Sequence, residues 1–188
     1  MTTRDDKYTE RLAYHEAGHA VVAKWLGLNI IKCTIVKNES TCAEGETSCI
    51  HPDASVLTYL LGKLGISTYE TNDEDKIAYL MAGIEAVKLA GCEKSFSIEG
   101  SELSDDIIEA SSDIVEANGI AVRSYPESEL LQGMVFESGR VKAEVLLTGY
   151  IDLLRAITLE LIERKTLSGA EIDEIIACLH PSGMRNKG

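Results

Sequence analysis

His15, Glu16 and His19 are the residues of this sequence whose types and spacing could do chemistry. They stand in the run His15-Glu16-Ala17-Gly18-His19, which fits H-E-x-x-H. On a helix, residues i and i+4 lie one above the other on the same face, so both imidazoles can reach a single ion. Glu16 is offset from His15 by roughly 100°, which sets its carboxylate beside that ion instead of on it. The chemistry this allows is hydrolysis. Zinc lowers the pKa of a water to about 7 and polarises a carbonyl, and the glutamate takes the proton.

The pattern is rare by chance. With four His and 21 Glu among 188 residues, random placement predicts roughly 0.01 occurrences. The plain alternative is a pair of helical histidines that need no metal. Ala13, Ala17, Gly18 and Ala20 surround the pair with small side chains that let another element approach closely. Glycine inside a helix costs about 1 kcal/mol relative to alanine, so Gly18 implies a packing reason.

These residues need a helix, and the sequence supplies one. Thr9 to Leu26 carries an apolar face and is followed by Gly27 at the place of a C-cap glycine. Ile30 to Val36 is rich in branched apolar residues and reads as a strand, and Glu46 to Ile50 as a second, giving a hairpin. Val56 to Leu64 reads as a short helix ended by Gly65. Asp73 to Leu89 has a helical pattern with Asn72 or Asp73 as cap and Gly91 beyond its end. Ser104 to Ala117 is a further helix, with Ser104 as N-cap, Asp105 and Asp106 in its first turn and Gly119 as its stop. Glu127 to Phe136, Gly139 to Arg164 and Ser168 to Leu179 complete the set, the last with a Ser168/Glu171 capping box. The expectation is a mainly α fold with a minor β component. It forms one domain over residues 1–180 and a frayed tail over 181–188.

A net charge of −13 opposes binding to nucleic acid, whose phosphates call for clustered Lys and Arg. No apolar stretch approaches the roughly 20 residues of a membrane span. The polar start Met1-Thr-Thr-Arg-Asp-Asp-Lys lacks the apolar core of a signal peptide. Five irregularly spaced cysteines (Cys33, Cys42, Cys49, Cys92, Cys178) point to free thiols in a reducing cytoplasm. Cys42, Cys49 and His51 are close in sequence, but their spacing matches no zinc ribbon or finger.

Ala13-Tyr14-His-Glu-Ala-Gly-His-Ala-Val-Val resembles the active-site helix of the FtsH-type peptidases, in which a proteolytic domain follows an AAA ATPase module. Met81-Ala-Gly-Ile-Glu-Ala is similar to that family's Leu-Gly-Gly-Arg-x-Ala-Glu segment. Gly100-Ser-Glu-Leu-Ser-Asp-Asp-Ile resembles its Gly-Ala-Ser-Asn-Asp-Leu, and Ile114-Val-Glu-Ala-Asn-Gly-Ile-Ala its Met-Val-x-x-x-Gly-Met-Ser. Leu161-Ile-Glu-Arg-Lys-Thr-Leu-Ser-Gly-Ala-Glu-Ile is like its Leu-Leu-Glu-Lys-Glu-Thr-Leu-Asp-Gly-Glu-Glu-Ile. The resemblance implies a helical, zincin-like domain of FtsH type with a small hairpin or sheet after the active-site helix. It nominates Asp106 as third zinc ligand beside His15 and His19, with Asp105 and Glu102 as competitors, and Glu16 as general base.

Three departures stand out. The stretch from Asp106 to Gly119 is about three residues shorter than its counterpart in the family. The family's Ala-Glu after the paired glycines becomes Ala86-Val87, so an acid that could orient a ligating histidine is missing unless Glu85 replaces it. Nothing here fits the nucleotide-binding pattern G-x-x-x-x-G-K-[ST]. The function expected is a zinc-dependent endopeptidase acting on extended or unfolded polypeptide. The strand at Glu46 to Ile50 is a candidate edge for substrate pairing. A separate AAA ATPase and a homo-oligomer are the partners such a domain could use. The alternatives are a non-catalytic binding or regulatory module that keeps the fold, and a metal-dependent hydrolase of non-peptide substrates.

Overall fold

The computed structural model describes residues 4–37, 45–50, 72–92, 105–181 and Met184. Among them, six helices and a three-stranded antiparallel sheet alternate in the order α1 (Arg4–Trp25), β1 (Asn29–Thr34), β2 (Glu46–Ile50), α2 (Asp73–Leu89), α3 (Asp105–Ser124), α4 (Glu129–Gly149), α5 (Ile151–Arg164), β3 (Thr166–Ser168) and α6 (Gly169–Leu179). The fold is mainly helical, and the small sheet follows the first helix.

Helix α1 ends as its sequence requires. Gly27 takes a left-handed φ of +75°. Leu28 N–H then donates to Ala23 O at 2.9 Å and Gly27 N–H to Lys24 O at 3.1 Å, the paired bonds of a Schellman motif. The chain turns directly into β1, the central strand of a sheet ordered β2-β1-β3. On one side β1 pairs with β2, placing Cys33 opposite Thr47, and on the other with β3, placing Cys33 opposite Leu167. Among the described residues, strand β2 is therefore an edge strand.

Two clusters of buried residues hold the helices. The larger joins α1 to the sheet, α5 and α6 through Val21, Val22, Leu153, Leu154, Ile157, Leu161, Leu167 and Ile172. The smaller packs Ile77, Ala78 and Met81 of α2 against Ala117, Ile120 and Ala121 of α3 and Ala143 of α4. Helix α2 thus lies between α1 and the α3–α4 pair.

Several boundaries differ from those expected. Helix α3 does not stop at Gly119 but runs to Ser124. Burial of Ile120 and Ala121 offsets the cost of about 1 kcal/mol of one interior glycine. No helix ends near Phe136. The break between α4 and α5 falls at Tyr150, and Gly139 is an interior contact: a Cβ there would lie 2.5 Å from Ile77 Cγ2. Strand β3 adds a third strand to the expected hairpin. Lys165, at φ 67°, turns the chain from α5 into β3. By contrast, α2 has the predicted ends, with Asn72 Oδ1 accepting from Asp75 N–H at 2.8 Å. The Ser168/Glu171 capping box also forms. The helix expected over Val56 to Leu64, the cap Ser104, Cys42, His51 and most of the tail lie outside the described residues. Among the described residues no helix is long and apolar enough to cross a membrane.

Candidate metal centre

The two histidines lie on one face of α1. Their rings meet edge to face with centroids 4.7 Å apart, and their Nε2 atoms converge to 3.1 Å. Both residues are buried, at 8% and 7% exposure, and Glu16 between them is 3% exposed. Helix α2 makes this possible by coming unusually close. A Cβ on Gly18 would lie 2.5 Å from Ala82 O, and one on Gly83 would lie 2.5–2.6 Å from three atoms of the His15 ring. Gly18 therefore lets the two backbones meet, and Gly83 leaves the notch that the imidazole fills.

The tautomer of His19 follows from its neighbour. Its Nδ1 lies 2.9 Å from Tyr79 O, and a carbonyl can only accept, so Nδ1 carries the proton. The Nε2 lone pair is left pointing toward His15. Orientation of this kind, by a hydrogen bond on the far ring nitrogen, is usual for a metal-ligating histidine.

The third member is Asp113, on α3. Its Oδ2 stands 3.3 Å from the Nε2 of both His15 and His19. No donor reaches this buried oxygen with hydrogen-bond geometry. One proton on His15 could serve His19 or Asp113 but not both. Two imidazoles and a carboxylate thus present converging ligand atoms, and among the described residues this is the group able to hold a metal ion. The three separations of 3.1, 3.3 and 3.3 Å can be compared with a tetrahedron around zinc. Ligands about 2.0–2.1 Å from the ion are then roughly 3.3–3.4 Å apart. The donor set fits.

The charges support one another. Burial pushes the Asp113 carboxyl up, but the two imidazoles outweigh it and hold the group well below the usual carboxylate range. For His19, burial works downward and is outweighed by Asp113, then Glu16 and the Tyr79 carbonyl, so it titrates above an ordinary histidine. A site that favours positive charge on nitrogen also favours a cation among the nitrogens.

Glu16 is held from the sheet. Thr47 Oγ1, on β2, donates to Glu16 Oε2 at 2.6 Å. Tyr79, whose carbonyl fixes His19, donates its hydroxyl to Thr47 O at 3.1 Å. One tyrosine therefore ties α2 both to the histidine pair and to the strand beside it.

Structure brings His15, Glu16 and His19 together as the sequence implied. The side chains of residues 105–111, including the nominated Asp106 and its rival Asp105, lie outside the described residues, as does Glu102. The acid seen against the histidines is Asp113, two helical turns beyond Asp106. A signal for it was present: Asp113 lies on the stripe of Ala117, Ile120 and Ala121, where an acid has no solubility role. Glu85 does not orient a histidine. It is 3% exposed and engaged by Lys88 Nζ at 2.7 Å and Arg140 Nη1 at 3.5 Å; the Tyr79 carbonyl has the orienting role. Cys49, near Cys42 and His51 in sequence, donates to Tyr79 Oη at 3.2 Å. Compared with known proteins, the chain matches no family model and no curated protein.

Proposed function

We propose that the chain is a zinc-dependent metallopeptidase with an FtsH-type, zincin-like fold, in which His15, His19 and Asp113 hold the ion and Glu16 is the general base. The observation that carries this reading is the convergence of three ligand atoms, spaced for one tetrahedral ion, beside a buried glutamate. Two imidazoles and one carboxylate, leaving a coordination position open, are a donor set suited to catalytic zinc. When bound, the ion would supply Lewis-acid polarisation of the scissile carbonyl and acidify a water.

The residues of the chain do the rest. Glu16 accepts the proton of the attacking water on its carboxylate and returns it to the leaving nitrogen. The Tyr79 carbonyl keeps the His19 proton on Nδ1, so that Nε2 stays available as a ligand. Strand β2, at the sheet edge and bonded to Glu16 through Thr47, offers backbone groups to which an extended polypeptide can add. Its nearness to the base supports peptide as the substrate class over compact small molecules.

The test is cleavage of casein and a quenched peptide library by zinc-loaded protein, with Glu16→Gln as control. Turnover falling by about 10²–10⁴ in the mutant, with zinc still bound, is the expected result. A zinc-loaded wild type that cuts no unfolded substrate would sink the enzyme reading and leave a metal-holding binding module.

A further inference from the structure

Glu16 is clamped from outside its own helix. We infer that Thr47 is a positioning residue for Glu16, fixing the rotation of its carboxylate from the edge strand β2. The inference rests on the reading of Glu16 as the base. A glutamate's terminal torsion is broad and roughly two-fold, so a carboxylate has no preferred plane unless something grips it. Among the described residues, two contacts help to do so. The Thr47 hydroxyl has one proton and two oxygens of Glu16 within reach, Oε2 at 2.6 Å and the backbone O at 3.1 Å. The shorter bond is of the charge-assisted kind and takes the proton. On the other side the chain entering β2 lies against the carboxylate, since a Cβ on Gly45 would stand 2.6 Å from Oε1 and 2.9 Å from Cγ.

Thr47 is itself pinned. Its backbone pairs with Cys33 of β1, and its carbonyl accepts the Tyr79 hydroxyl at 3.1 Å. Cys33 Sγ lies 3.2 Å from Thr47 Oγ1. Burial pushes the Cys33 thiol up, so it remains S–H and can donate to the hydroxyl oxygen, leaving the Thr47 proton for Glu16. A β-branched side chain is also stiff at χ1. Any alternative in which Thr47 merely satisfies the strand does not explain why its shortest bond goes to the carboxylate and not to backbone.

Thr47→Val keeps the shape and branching but removes the hydroxyl, and Thr47→Ser keeps the hydroxyl. In the full zinc-loaded chain, Thr47→Val is expected to lower kcat about 10-fold or more, with KM and zinc stoichiometry unchanged. Thr47→Ser should recover at least half of the wild-type kcat. Crystal structures of the zinc-free proteins give a readout independent of turnover. They should show one Glu16 carboxylate orientation in wild type and Thr47→Ser, and a rotated or divided one in Thr47→Val. Should the valine variant not fold, Thr47→Ala takes its place with the same expectations. Unchanged kcat together with an unchanged Glu16 orientation overturns the inference. A wild type that cleaves nothing overturns Glu16 as the base, while the crystal structures still decide whether Thr47 sets its carboxylate.

Discussion

Two groups of buried ionisable side chains touch helix α2, and they differ in how their charges are met. Toward α4, Glu85 faces Lys88 and Arg140, and Asp75 lies 2.5 Å from Lys142 Nζ. Each acid there has its own permanent cation, and Lys142 also lies 5.5 Å from the centre of the Trp25 ring. Toward α1, Asp113 faces two imidazoles whose nitrogens also face each other. In the first group every acid stands within ion-pair distance of a lysine or arginine, which makes it a structural ion-pair network. In the second, Asp113 is met by histidines, with no lysine or arginine against it among the described residues. Burial alone does not mark a site; burial with an unmatched set of lone pairs does.

The comparison is broken most directly at the unmatched group. His19→Ala and Asp113→Asn should each weaken zinc binding by about 100-fold or more, measured by elemental analysis after dialysis and by competition with a chromophoric chelator. Asp106→Asn should leave binding within about threefold. Loss of zinc in Asp106→Asn with retention in Asp113→Asn would reverse the assignment. Next in size is Gly83→Ala, which places a methyl against the His15 ring. A lower urea midpoint, corresponding to a stability loss of about 2 kcal/mol, is expected together with weaker zinc binding. An unperturbed metal affinity would show that the notch is not needed.

The ion-pair network should respond in the opposite way. Lys142→Met leaves Asp75, itself 5% exposed, without its cation and should cost about 2 kcal/mol in chelator-treated protein. Zinc stoichiometry should not change. If Lys142→Met releases metal, the two groups are coupled and the contrast fails. The smallest effect belongs to a site remote from both: Ser168→Ala, which removes the α6 cap, should cost about 1 kcal/mol of stability and nothing in zinc affinity.

How much of this was readable in the sequence varies along the chain. Helix α1, its Gly27 stop, both ends of α2 and the α6 capping box were legible because each depends on residues within one or two turns. The α4–α5 break was not. Glycines at 133, 139 and 149 look alike in sequence, and only the packing of Gly139 on Ile77 makes one of them an interior contact. Strand β3 has three residues, too few to show a period, and it exists because β1 offers an edge.

The candidate centre divides along the same line. That two imidazoles and a carboxylate lie within one turn of helix is dictated by backbone geometry, so His15, Glu16 and His19 could be named from the chain alone. That Asp113 of α3 stands opposite the histidines depends on how α3 is set along its neighbours, which its apolar stripe by itself does not fix. The grip of Thr47 on Glu16 and of Tyr79 on His19 likewise arises only when strand and helices meet. Local hydrogen bonding fixed the pair of nitrogens; the close approach of backbones at Gly18 and Gly83 decided what stands opposite them.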